Sequence, residues 1–139
     1  MNRVEIDPVW LMHVQKPARY VGGEWNSVMK NHADVDVKVA LAFPDVYEVG
    51  MSHLGLKIIY SVINSRKDAL AERVYTPWVD MEKMMRERNI PLYALESKAP
   101  IKDFDVLGLT MPYEMCYTNI LNMICLLYTS PSPRDRSVS

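Results

Sequence analysis

Apolar positions along this chain change period repeatedly, and the changes predict strand followed by helix three times over. Val37, Val39, Ala40, Leu41, Ala42 and Phe43 form a nearly continuous apolar run, as a strand buried on both faces requires. Pro44 and Asp45 end it, because proline has no N–H to give a ladder. Asp45 to Gly55 is a loop with two glycines, and Ser52 stands where it can cap the helix that follows. In that helix Leu54, Ile58 and Val62 share one face, with Ile59 and Ile63 beside them. Leu70 to Tyr75 predicts a second strand. Thr76-Pro77 then resembles a helix start, with Asp80 as a rival cap. Met81, Met84, Met85 and Arg88 fall along one side of this helix, Asn89 suits the left-handed C-terminal position, and Pro91 lies just beyond. Leu92 to Glu96 alternates like a short edge strand. Val106 to Met111 predicts a third strong strand, and Glu114 to Ile124 a third helix with Met115, Ile120, Leu121 and Ile124 as its apolar side.

Strand and helix in alternation argue for a parallel sheet. The predicted fold is α/β, an incomplete Rossmann-like sheet in flavodoxin-type order, flanked by helices. In open α/β sheets ligands bind at the carboxyl ends of the strands. The Asp45–Gly55 loop is therefore expected to carry ligand contacts through backbone groups, with Asp45 and Ser52 as side-chain partners. The first 36 residues form a lead-in segment of mixed pattern. Val9 to Val14 predicts a helical turn ended by Lys16-Pro17, and Asn26 to Asn31 another. Between them Gly22-Gly23 gives a backbone able to approach another surface closely. Trp78 reads as core packing.

Composition narrows the function classes. Sixteen basic residues face 17 acidic ones, so neither nucleic acid nor a membrane surface is indicated as a partner. No apolar run approaches a bilayer span, and charged residues near the start argue against a signal peptide. Two cysteines make neither a disulfide framework nor a local metal motif. A cytoplasmic protein is expected. Ten methionines, clustered at helical spacings, suit a soft core.

From Cys125 the pattern breaks into Ser, Pro and Arg. Cys125 to Asp135, CLLYTSPSPRD, matches the translation of a widely used sequencing transposon adapter residue for residue. Residues 125–139 are accordingly expected to be a non-native, adapter-derived tail, with a partial domain over 37–124. A third strand left at the sheet margin would then be a template for pairing with other chains.

Four blocks carry a family resemblance: KPARYVGGE, VALAFPDVYEVGMSHLGLKI, PWVDMEKMMRERNIPLYALES and DFDVLGLTMPYEMCYTNILNM. Together they resemble the amino-terminal region of bacterial radical S-adenosylmethionine proteins with a cobalamin-binding-type domain ahead of the radical barrel. The resemblance covers roughly Lys16 to Ile124. It implies a domain that caps the catalytic barrel of the same parent chain, is not catalytic by itself, and has that missing barrel as its partner. It implies cobalamin as a possible cofactor. It also implies a 4Fe–4S cluster and S-adenosylmethionine in the parent, not in this stretch, which lacks the cluster motif Cys-x-x-x-Cys-x-x-Cys. No catalytic residue and no metal ligand is assigned.

The family loop Asp-x-His-x-x-Gly, whose histidine ligates cobalt, corresponds to Asp45-Val46-Tyr47-Glu48-Val49-Gly50. Tyr47 replaces the histidine, and a phenol with a pKa of about 10 stays protonated at neutral pH. Any corrinoid is thus expected without a protein histidine below the cobalt. His53 follows nearby and reads as a residue making a local hydrogen bond at the helix start. Thr110 keeps the hydroxyl of the family's Ser-x-Leu, and Pro112 departs from it. The cofactor-binding candidates are therefore Asp45, Tyr47, Gly50, Ser52, His53 and Thr110. The alternative is a degenerate Rossmann-like docking module that binds no cofactor, which Tyr47 favours. Cys116 reads as a small buried hydrophobe.

Overall fold

A computed structural model describes residues 3–127. Three parallel strands, β1 (Val37–Phe43), β2 (Ala69–Tyr75) and β3 (Val106–Leu109), form one sheet in the order β2-β1-β3. This is the flavodoxin-type order for the strands present, with β1 in the middle. Its pairing runs from Val37 opposite Ala69 to Phe43 opposite Tyr75, and from Val39 opposite Val106 to Ala42 opposite Leu109. The helices are α1 (Pro8–Leu11), α2 (Tyr47–Gly50), α3 (Leu54–Asn64), α4 (Val79–Glu87) and α5 (Tyr117–Cys125). No described helix is long and apolar enough to cross a membrane.

Side chains alternate across a strand, so β1 feeds two cores. Ala40 and Ala42 face one side with Val74, Met81, Met85, Ile90, Tyr93 and Met123. Leu41 and Phe43 face the other with Leu56, Tyr60 and Ala71. Met81 and Met85 are buried as their spacing predicts, and Asn89 takes φ +54° at the end of α4. The lead-in segment belongs to the fold, since Val14 and Tyr20 are core residues. Gly22 shows why glycine stands there. It adopts φ +70°, and a Cβ would lie 2.4 Å from the Leu95 carbonyl oxygen.

Several local expectations are corrected. The cap of α3 is His53, whose Nδ1 accepts from Leu56 N at 3.1 Å, while Ser52 Oγ donates to Val49 O. Neither Thr76 nor Asp80 caps α4; Trp78 holds that position without a side-chain bond, and Asp80 lies inside the first turn. Trp78 is partly exposed, with the Arg19 guanidinium 5.4 Å over its ring. Asn26 to Asn31 forms no helix; a short 3-10 turn follows at His32–Asp34. Leu92 to Glu96 is no sheet strand: it meets β2 through one backbone bond, Leu95 N to Arg73 O, while Arg73 N donates to the Glu96 carboxylate in place of a ladder carbonyl. Its Tyr93 makes only an isolated antiparallel bridge to Pro100.

Two helices turn their apolar stripes outward. The sheet-facing side of α3 carries Leu56 and Tyr60, leaving Leu54, Ile58, Ile59 and Val62 exposed. Around α5 the buried residues are Cys116, Met123 and Leu126, while Met115, Leu121 and Ile124 face out. The expected boundary after Ile124 falls within α5, and Leu126 O accepts from Leu92 N at 2.9 Å. The rest of the adapter-like stretch lies outside the described residues.

Candidate functional site

At the carboxyl ends of β1 and β2, on the α3 side of the sheet, lies a cleft of about 500 Å³. That is within the size range of small-molecule sites. Tyr75 ends β2 and Tyr47 opens α2; their rings meet edge to face, 5.4 Å apart at 88°. Tyr60 comes from α3, four residues after buried Leu56, so helix pitch sets it over the same core. Gly50 lies beneath the cleft, where a Cβ would come within 2.4 Å of the Tyr75 ring and 2.9 Å of Phe43. The bulk of those two rings leaves room for hydrogen only.

The opposite wall is the segment Glu24–Val28. It is tied down at two points, with a third just beyond it at Lys30. Glu24 Oε2 accepts from Arg73 Nη1 at 2.5 Å. Tyr60 OH accepts from Val28 N at 2.7 Å. The Lys30 ammonium donates to the carbonyls of Asn64, Arg66 and Ala69 at 2.7–2.9 Å. Trp25, on this segment, is 99% exposed at the rim.

Arg73 joins the floor to the wall. Its Nε donates to Glu96 Oε1 at 2.6 Å, and Tyr60 OH donates to the same oxygen at 3.1 Å. Burial opposes the charge on Arg73, yet Glu96 and Glu24 hold the guanidinium above its ordinary pKa. Burial likewise pushes the Glu96 carboxyl up, against the pull of Arg73. It raises Tyr60 and pushes Tyr75 to about 12, so both phenols stay protonated donors at neutral pH. Two atoms of this cluster are buried without a partner: Arg73 Nη2, a donor, and Glu24 Oε1, an acceptor.

Of the sequence-predicted site residues, only Tyr47 and Gly50 reach this cleft. Asp45 stands at the other side of the β1 terminus. Its Oδ1 accepts from its neighbour Val46 N at 2.7 Å, and its Oδ2 accepts from the Tyr113 hydroxyl. That bond holds the Tyr113 phenol above its ordinary pKa. His53 is engaged in capping, its ring 5.0 Å from that of Phe43. Ser52 bonds within its own turn. Thr110 N donates to Ala42 O at 3.2 Å, and its Oγ1 is buried without a partner. Among the described residues no cluster of three or more His, Cys, Asp or Glu is placed to hold a metal ion.

Sequence reasoning missed Glu24, Arg73 and Glu96. One signal was present: adjacent charges Glu72-Arg73 inside an otherwise apolar strand require partners, because charge is costly to bury alone. Glu72 finds His32 Nε2 at 3.1 Å and Ser97 Oγ at 2.6 Å on the other face.

A family model described as radical SAM proteins, N-terminal, matches residues 55–139, well over half of the chain. No curated protein and no solved structure matches.

Proposed function

This chain belongs to the family of radical SAM proteins, as their N-terminal region, and from that premise we propose that it caps the radical barrel of its parent chain and is not catalytic by itself. The asymmetry of the sheet edges carries this proposal. The outer edge of β2 is closed by side chains and a loop. Lys30 donates to Ala69 O, Asn64 pairs with both backbone groups of Ala71, and Glu96 with Leu95 N serves Arg73. Among the described residues β3 pairs only with β1. Exposed apolar side chains follow in β3, the segment after it and α5: Val106, Met111, Met115, Leu121 and Ile124. A closed edge protects against association, whereas an open edge flanked by apolar surface invites a partner. The partner we assign is the remainder of the parent chain.

In this proposal the barrel supplies the 4Fe–4S cluster and S-adenosylmethionine. Cys116 is fully buried, and such clusters need several thiolates together. A corrinoid ligated by a histidine of this loop does not fit the residues present. Asp45, which would orient the imidazole in such a site, accepts from Tyr113, and the Tyr47 ring packs against Tyr75. The docking role is therefore favoured over cofactor binding.

Leu121 tests the proposal, being 63% exposed here. In the isolated chain Leu121→Glu should change stability by no more than about 0.5 kcal/mol, as for an ordinary surface position. In the parent it should loosen the domain and speed limited proteolysis near α5. Equal tolerance in both would remove the support for docking at this face.

A further inference from the structure

We propose that the cleft between Glu24–Val28 and α3 is a binding site for a neutral, planar nitrogen heterocycle of the nucleobase class. Three observations select that chemistry. First, the walls are aromatic, with Tyr47, Tyr60 and Tyr75 inside and Trp25 exposed at the rim. Such rings favour a flat ligand that can stack. Second, the charges balance. Arg73 and Lys57 stand against Glu24, which lines the cleft, and Glu96, which holds Arg73 from below. The site thus offers no net attraction to an anion or a cation, and a neutral ligand is preferred. Third, the Glu24–Arg73 pair leaves one acceptor and one donor without partners, Oε1 and Nη2. Leaving such buried atoms unmade is costly, and a ring edge with an N–H beside a lone pair satisfies both.

Glu24 and Trp25 are consecutive on one segment. A ring set against the ion pair therefore lies within reach of the exposed indole at the rim. The site sits at the carboxyl ends of β1 and β2, where open α/β sheets bind ligands. The open β3 edge lies on the other side of β1, so association there leaves the cleft free.

The test is isothermal titration of the 139-residue chain with adenosine, guanosine, cytidine and uridine in turn, with ribose as a control. At least one nucleoside should bind saturably while ribose does not. Trp25→Ala should weaken that binding about tenfold or more, the scale of one lost stacking partner. Glu24→Ala should weaken it further, with near-ultraviolet circular dichroism showing that the aromatic core is intact. Trp25→Ala alters a wholly exposed side chain, so it remains informative if Glu24→Ala disturbs the fold. Absence of saturable binding by all four nucleosides, or unchanged affinity in Trp25→Ala, would overturn the assignment.

Discussion

Tyr47 and Asp45 make contacts that a histidine-ligated corrinoid site would not. The spacing of Asp45 and Gly50 keeps the form of a cobalt-ligand loop, but its centre is a phenol packed edge-on against Tyr75. The aspartate has turned to Tyr113, and the imidazole six residues after Tyr47, His53, is spent on a helix cap. A corrinoid held by the parent should therefore give a cob(II)alamin paramagnetic resonance spectrum without splitting from an imidazole nitrogen. Splitting that His53→Ala abolishes would contradict this account. Within the expected Asp45–Gly55 loop, Tyr47–Gly50 forms α2 and α3 already begins at Leu54. The Glu24–Arg73–Glu96 cluster was not legible in the sequence, because its members lie 49 and 23 residues apart. Only the fold brings them together.

At the scale of elements, strands were easier to read than helix faces. A nearly continuous apolar run such as Val37–Phe43 has one good use, the middle of a sheet covered on both sides. A helix with apolar residues on two sides does not declare which side is the core. In α3 the Leu56–Tyr60 side is buried because the Tyr60 hydroxyl bridges Val28 and Glu96 in addition to packing. The Leu54–Ile58–Val62 stripe, equally apolar on paper, faces outward. Thermal unfolding of single variants distinguishes the two sides. Leu56→Ala should destabilise by about 2–5 kcal/mol, the range for emptying a core site. Leu54→Ala, at 68% exposure, should stay within about 0.5 kcal/mol. The reverse ranking would mean that α3 is rotated. Leu92–Glu96 misled because all five of its residues are buried, and it reaches β2 through Leu95 N and the Glu96 carboxylate, not through a ladder.

At the scale of the whole molecule, the sheet is sealed on one side only among the described residues. Lys30, Asn64 and Glu96 seal β2 with side-chain groups, so no further strand can add there. The β3 margin carries no such seal among the described residues, and α5, which follows β3 in the chain, exposes Leu121 and Ile124. A domain whose net stability is only about 5–15 kcal/mol gains substantially by covering such a margin. In the docking proposal above, the cover is the remainder of the parent chain. Hydrogen exchange tests this most directly, by comparing β3 and α5 in the isolated chain and in the parent protein. The account predicts that amides of Val106–Leu109 and Tyr117–Cys125 exchange markedly more slowly in the parent, while those of β2 are unchanged. Equal rates at β3 and α5 in both proteins would contradict it.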